Sequence, residues 1–180
     1  MKHFFILICI FIGTTSFQTR NQDLIDEITK SLLKDLKSCD SKGFQNKYSI
    51  TNSDLKWYTN TVNSDSLIEP NKKNEYINEL NSLKKSLQTK ALKSEYEKIW
   101  LSNLNTYQIN KDSITITDFF FMFGNQKLNL DCLVMEMKLF HKGSYYKIKL
   151  DLANFDNKWK VLFISEFEPC DKYYISDYRF

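Results

Sequence analysis

From Ile114 to Ile164 hydrophobic residues recur at every second position, and this one pattern decides most of what the chain can fold into. Period two is the repeat of a β-strand, whose successive side chains point to opposite faces. Ile114, Ile116, Phe120 and Met122 alternate with Thr115, Thr117, Phe119, Phe121 and Phe123. Leu133, Met135, Met137 and Leu139 alternate with Val134, Glu136, Lys138 and Phe140. Tyr146, Ile148, Leu150 and Leu152 alternate with Tyr145, Lys147, Lys149 and Asp151, and Trp159, Val161 and Phe163 with Lys160, Leu162 and Ile164. The connections Asn125-Gln126-Lys127, His141-Lys142-Gly143-Ser144 and Asn154-Phe155-Asp156-Asn157 are too short for a crossover helix. Neighbouring strands must therefore run antiparallel, as a four-stranded meander. The first strand is apolar on both faces in its second half, so it is expected at the centre of the sheet or covered on both sides.

Ahead of the strands the period is helical. Leu24, Ile25, Ile28, Leu32 and Leu36 stand three and four residues apart with charged residues between them, an amphipathic helix closed by Cys39-Asp40-Ser41-Lys42-Gly43. Thr51 or Ser53 caps a second helix that buries Leu55, Tyr58 and Val62. Tyr76, Leu80, Leu83 and Leu87, then Tyr96, Ile99 and Trp100, mark a third helical stretch, broken near Gln88-Thr89-Lys90. Helices first and strands second is the α+β arrangement, with N-terminal helices packed on a twisted antiparallel sheet of four or more strands.

The chain opens with Met1-Lys2-His3 and an uncharged run from Phe4 to Gly13, followed by Thr14 and Ser16 ahead of Phe17. This is the pattern of a signal peptide over residues 1–16, leaving a single α+β domain at 17–180 and a periplasmic or secreted location. The apolar run is about half of the ~20 residues a membrane-spanning helix needs. Cys9 lies too early, behind the bulky Ile8, for a lipoprotein site. Loss of Lys2 leaves 24 basic against 22 acidic residues, a charge of +2 with both signs interspersed, which gives no footprint for nucleic acid.

The order of these elements, ending in Asp156-Asn157-Lys158-Trp159-Lys160-Val161, resembles the nuclear transport factor two-like, or SnoaL-like, superfamily of cone-shaped (cystatin-like) α+β domains. The helix end and turn at Cys39-Asp40-Ser41-Lys42-Gly43-Phe44 is similar to its first helix pair. The resemblance implies a pocket at the wide end of the cone. It does not choose among enzyme, ligand binder and interaction module, because the superfamily hosts all three.

Few residues offer chemistry. His141, the one histidine beyond the leader, falls in an expected hairpin turn as an exposed spacer, without a second ligand at zinc spacing. Four glycines leave little material for a phosphate cradle, and no cofactor is implied. Asp118 and Glu136 each interrupt apolar strand positions. A carboxylate pushed among apolar groups is a candidate general base or acid, assisted by a tyrosine. The plainer expectation is that both face solvent or pair with Lys138, Lys147 or Lys149 across strands. Phe120, Met122 and Tyr146 are the candidate binding residues.

Three cysteines lie beyond the leader. Cys132, beside Ala153 at the start of its strand, and Cys170, past the last strand at the far end of the sheet, are more than ~20 Å apart at ~3.3 Å per residue. A disulfide spans ~7 Å between Cα atoms at most, so elimination points to Cys39 with Cys170 and leaves Cys132 a buried thiol. The alternative keeps all three reduced.

Fourteen Phe, ten Tyr and three Trp go mainly to the core, with Phe119 to Phe123 lining it. The aromatic tail Tyr173 to Phe180 follows the last strand and is expected to pack back on the domain. These features suggest an exported, non-catalytic domain that binds a small apolar ligand or a protein partner. The alternatives are a small isomerase- or cyclase-like enzyme using a buried carboxylate, and a structural homodimer.

Overall fold

A computed structural model describes residues 23–88, 91–123 and 130–176. The expected signal peptide, the helix break at Thr89-Lys90, the loop Asn125-Gln126-Lys127 and the end of the tail lie outside the described residues. Two compact units divide the chain, residues 1–35 and 36–180. The first contains most of helix α1 (23–38), in which Ile25, Ile28 and Leu32 are buried while Leu24, expected on the same stripe, is 44 % exposed.

The second unit is α+β. Helices α2 (Ser41–Tyr48), α3 (Asn52–Ser64), α4 (Pro70–Gln88) and α5 (Ala91–Glu95) precede a π-helical turn, Tyr96–Leu101, and the short α6 (Ser102–Thr106). Strands β1 (Thr115–Phe123), β2 (Cys132–His141), β3 (Ser144–Phe155) and β4 (Lys158–Cys170) follow as an antiparallel meander in the order β1-β2-β3-β4. The stretch Cys39 to Gly43, expected as the stop of the first helix and, by the resemblance, as a turn into another, is both: Asp40 accepts the Gly43 N–H at 2.6 Å and caps α2. A Cβ on Gly43 would meet that Asp40 oxygen at 2.9 Å, so a larger residue there would make the capping carboxylate shift. Thr51 and Asp54 form a reciprocal capping box at the start of α3.

Helix α1 ends against the π turn. Tyr96 Oη lies 2.9 Å from Leu36 O and 2.8 Å from Cys39 O, and Trp100 Nε1 donates to Leu36 O at 2.9 Å. Leu36 lies in the last turn of α1, whose carbonyls lack a partner within the helix, and Cys39 follows it, so two buried aromatic side chains supply what the helix end lacks. Trp100 then meets Phe167 of β4 edge-on at 5.4 Å, which ties the helical layer to the sheet.

Leu133, Met135, Met137 and Leu139 of β2 and Ile148, Leu150 and Leu152 of β3 are buried to within 1 % on one face of the sheet. At the far end of β3 the opposite face is covered too. There Ala153 and Phe155 join Ile50, Tyr58, Val62, Leu80 and Leu130 in a second core cluster with α3 and α4. The register runs Cys132 opposite Ala153 and Cys170 opposite Tyr145, which puts these two cysteines at opposite ends of the sheet, as the strand pattern required. Two bulges in β4 insert Leu162 and Ser165 as extra residues, bending and twisting the strand.

Three expectations are corrected. Strand β1 is an edge strand, not a central one: Phe120 is 8 % exposed but Phe123 is 50 % exposed, because nothing pairs its far side among the described residues. His141 is no exposed spacer but the last residue of β2, 5 % exposed. The β2–β3 turn is only Lys142-Gly143, with φ of 47° and 89°, and this tight pair keeps His141 in register with Leu139 on the core face. Finally, Cys39, Cys132 and Cys170 are three free thiols in this structure, without the expected Cys39–Cys170 bond.

Candidate functional site

The sheet face away from the buried methionines carries the only expected catalytic carboxylate that is buried. Phe120 of β1 stands opposite Glu136 of β2, and Glu136 opposite Lys149 of β3. Next along, Asp118 faces Lys138 and Lys138 faces Lys147. Lys147 then pairs with Glu168 at 3.0 Å and approaches Glu166 at 3.8 Å on β4. The alternation of apolar and charged residues along β2 and β3 gathers these groups on one face by strand geometry alone.

The C-terminal tail closes over them. Lys138 Nζ donates to Lys172 O at 2.5 Å and Tyr174 O at 3.2 Å, so one lysine holds two tail carbonyls. Tyr174 stands edge-on to Phe120 at 6.4 Å, with Lys147 Nζ 4.8 Å from its ring centre and 3.4 Å from its hydroxyl. Burial first, then a hydrogen bond to the Glu136 carboxylate, pushes the Tyr174 phenol above its ordinary pKa. Glu136 is 3 % exposed, and its Oε1 has no hydrogen-bond partner among the described residues. Within the described part of the tail Tyr174 thus packs back, as expected, and covers the carboxylate, while Tyr173 and Ile175 stay exposed. The hydrogen bond that Lys147 donates to Glu168 does most to keep its ammonium charged well beyond the ordinary lysine range.

The sequence candidates are only partly brought together. Phe120 and Glu136 meet; Met122 sits two positions along β1, opposite Val134. Asp118 is exposed at a bulge and accepts the N–H of Phe119 at 2.9 Å, so it stands in water and not among apolar groups. Tyr146 lies on the opposite face, stacked on Phe167 at 5.7 Å and against Tyr107 at 5.3 Å. Five candidates therefore divide between two faces and an edge, and form no single constellation. Sequence reasoning missed Tyr174, whose role depends on where the tail returns, and His141, whose Nδ1 meets Ser113 Oγ at 2.8 Å.

On the other parity of β1, Phe119, Phe121 and Phe123 form a row, with ring centres 6.5 and 5.8 Å apart. This half of the strand has no charge, proline or bulge, the devices that usually protect a sheet edge.

Among the described residues no group of three or more His, Cys, Asp and Glu side chains is poised to hold a metal, and no helix is long and apolar enough to cross a membrane. The fold defines an α+β domain of helices on an antiparallel meander. No protein-family model, no curated protein and no solved structure matches this chain.

Proposed function

We propose that the chain is an exported, periplasmic or secreted, non-catalytic domain that binds a protein partner, and that the partner adds an extended strand to the edge of β1. The observation that carries this reading is the uncharged, unbulged row Phe119 to Phe123 on an edge strand, with Phe123 half exposed. Such an edge presents backbone donors and acceptors beside apolar side chains, which is the chemistry another strand satisfies. The order of helices and meander, with Trp159-Lys160-Val161 after the Asp156-Asn157 turn, supports placing the domain with the nuclear transport factor two-like superfamily.

Native mass spectrometry of the chain purified from its own host tests the reading. A co-purifying protein is expected with the unaltered chain and lost in Phe121→Lys and Phe123→Lys. A dimer of this chain alone, a retained small apolar ligand in place of a protein, or a complex indifferent to both substitutions overturns it.

One observation favours the enzyme alternative: a buried carboxylate, Glu136, has a tyrosine hydroxyl beside it. A general base with a tyrosine to support a developing oxyanion is the minimum for an isomerase acting beside a carbonyl. In that reading Glu136→Gln and Tyr174→Phe abolish turnover of an enolisable carbonyl substrate while leaving the melting temperature unchanged. Unchanged turnover, or turnover absent in the unaltered chain, counts against it.

A further inference from the structure

Where β3 turns into β4 the surface opens into a cleft of about 200 Å³, lined by Trp57, Leu130, Asp131, Asn154, Asp156 and Asn157. Three separate pieces of chain build it. Trp57 comes from α3, Leu130 and Asp131 from the approach to β2, and Asn154, Asp156 and Asn157 from the end of β3 and the turn itself. The turn is a tight one with φ of 52° and 59° at its two residues, a conformation that asparagine and aspartate tolerate better than other side chains. Asn154 N donates to Asp131 O at 2.9 Å, which fixes one wall to the other. Trp57 is held from behind by Phe155, fully buried, at 6.4 Å in an edge-on contact.

The chemistry of the lining is specific. One side is an aromatic ring next to the buried Leu130. The other offers two carboxylates, which only accept hydrogen bonds, and two amides, which both donate and accept. Asn154 Oδ1 is buried, and no described residue reaches it. A buried amide oxygen left without a donor is costly, so the cleft is built around an acceptor that an occupant's O–H or N–H would satisfy. Among the described residues no basic side chain lines the space, and Asp131 and Asp156 disfavour an anion. The volume lies below the ~300–1,000 Å³ of pockets for drug-sized ligands, which sizes it for a single ring. It is far larger than a bare cation needs, and the ring and Leu130 give a cation no donor.

We propose that this cleft binds a neutral, hydroxylated ring of the size of one sugar unit, with the C–H face of the ring on Trp57 and its hydroxyls bonded to Asn154, Asp131, Asp156 and Asn157. Aromatic side chains suit such a ring because one face is apolar while the rim carries hydroxyls that each donate and accept. This site is separate from the β1 edge, and either stands without the other.

The test is an NMR titration of the full chain with glucose, N-acetylglucosamine, glucuronate and calcium chloride, each alone. The signals read are the Trp57 indole N–H and the side-chain amides of Asn154 and Asn157. The expected result is a saturable shift of these signals by at least one neutral sugar, with a dissociation constant on the order of 1 mM, as a single small ring allows. Trp57→Ala is expected to weaken that binding about tenfold. Trp57→Phe, which keeps a ring against Phe155, should weaken it less and guards against a loss caused by loosening of α3. A shift with calcium alone, equal binding of glucuronate, binding indifferent to both Trp57 variants, or no shift with either neutral sugar overturns the proposal.

Discussion

Glu95 Oε2 accepts the backbone N–H of Ile164 at 2.9 Å, beside the extra residue Ser165 in β4. A bulge frees a strand N–H from its ladder, and a half-buried carboxylate at the end of α5 takes it up. Burial, chiefly, raises the Glu95 pKa; Asp151 adds to the rise and the Ile164 N–H opposes it. Asp151 is itself raised by burial. Carboxyls raised on folding hold their protons more tightly in the folded chain. Their contribution to stability is present below the ordinary carboxyl range and fades as pH rises through the folded values. Glu95→Gln keeps an acceptor for Ile164 and removes the charge, so it should leave neutral-pH stability unchanged or higher and flatten the pH dependence. Glu95→Ala strands the N–H and should cost about 1–3 kcal/mol. Denaturant unfolding at acid and neutral pH measures both.

Burial first, with Cys39 and Asp40 nearby, pushes the Tyr96 phenol up to about 12, against the pull of its Trp100 hydrogen bond. In the unfolded chain it ionises near the ordinary tyrosine value of about 10. Stability is therefore whole below that value and is lost as pH rises from about 10 to about 12. Tyr96→Phe should cost about 1 kcal/mol at neutral pH, the worth of one hydrogen bond to an α1 carbonyl, and make alkaline unfolding less steep. Phenolate absorbance followed alongside circular dichroism separates the two effects.

Lys160 and Asp54 form a buried ion pair at 3.3 Å, with side chains 9 % and 7 % exposed. Burial works to raise the Asp54 pKa, but hydrogen bonds from Thr51 and the charge of Lys160 outweigh it, so the carboxyl sits below its ordinary range. Its contribution is present above the unfolded value and is lost as pH falls through the folded one. Lys160→Met leaves a buried carboxylate without its cation and should cost about 3 kcal/mol. Replacing both, Lys160→Met with Asp54→Ser, should recover part of that loss. Thermal melts of the single and double variants provide the measurement.

Cys132 and Cys170 are both raised by burial, and for Cys132 the carboxylates of Asp131 and Asp151 add to it. The thiolate is the reactive form, so both should alkylate slowly in the native chain at neutral pH and at the rate of a free thiol once unfolded. Mass mapping of alkylated peptides from unreduced protein should find three thiols and no Cys39–Cys170 link. A link between those two would mean that oxidation draws α1's end and β4's end together.

Much of the fold was legible because its physics is local. The two-residue alternation in β2, β3 and β4 reports burial on one face, and by itself it places Cys132 opposite Ala153. Thr51 as a helix cap and the stripe of Tyr58 and Val62 were readable for the same reason. The site was far less legible. Asp118 and Glu136 look alike in sequence, each a carboxylate among apolar neighbours. One is exposed at a bulge and the other is 3 % exposed under Tyr174. Nothing near either residue in the chain encodes a tail more than thirty positions on.

Trp57, Asp131, Asn154 and Asn157 share no spacing, because they meet only when α3 packs over the β3–β4 turn. The amino-acid order alone determined the main helical stretches and the four antiparallel ribbons, since backbone hydrogen bonding and the side-chain period act over a few residues. Tertiary packing alone decided that β1 lies at an edge, that His141 turns inward, that Tyr174 covers Glu136 and that the cleft exists. Each depends on which surfaces, distant in the chain, exclude water from one another, and that is settled only when the whole domain closes.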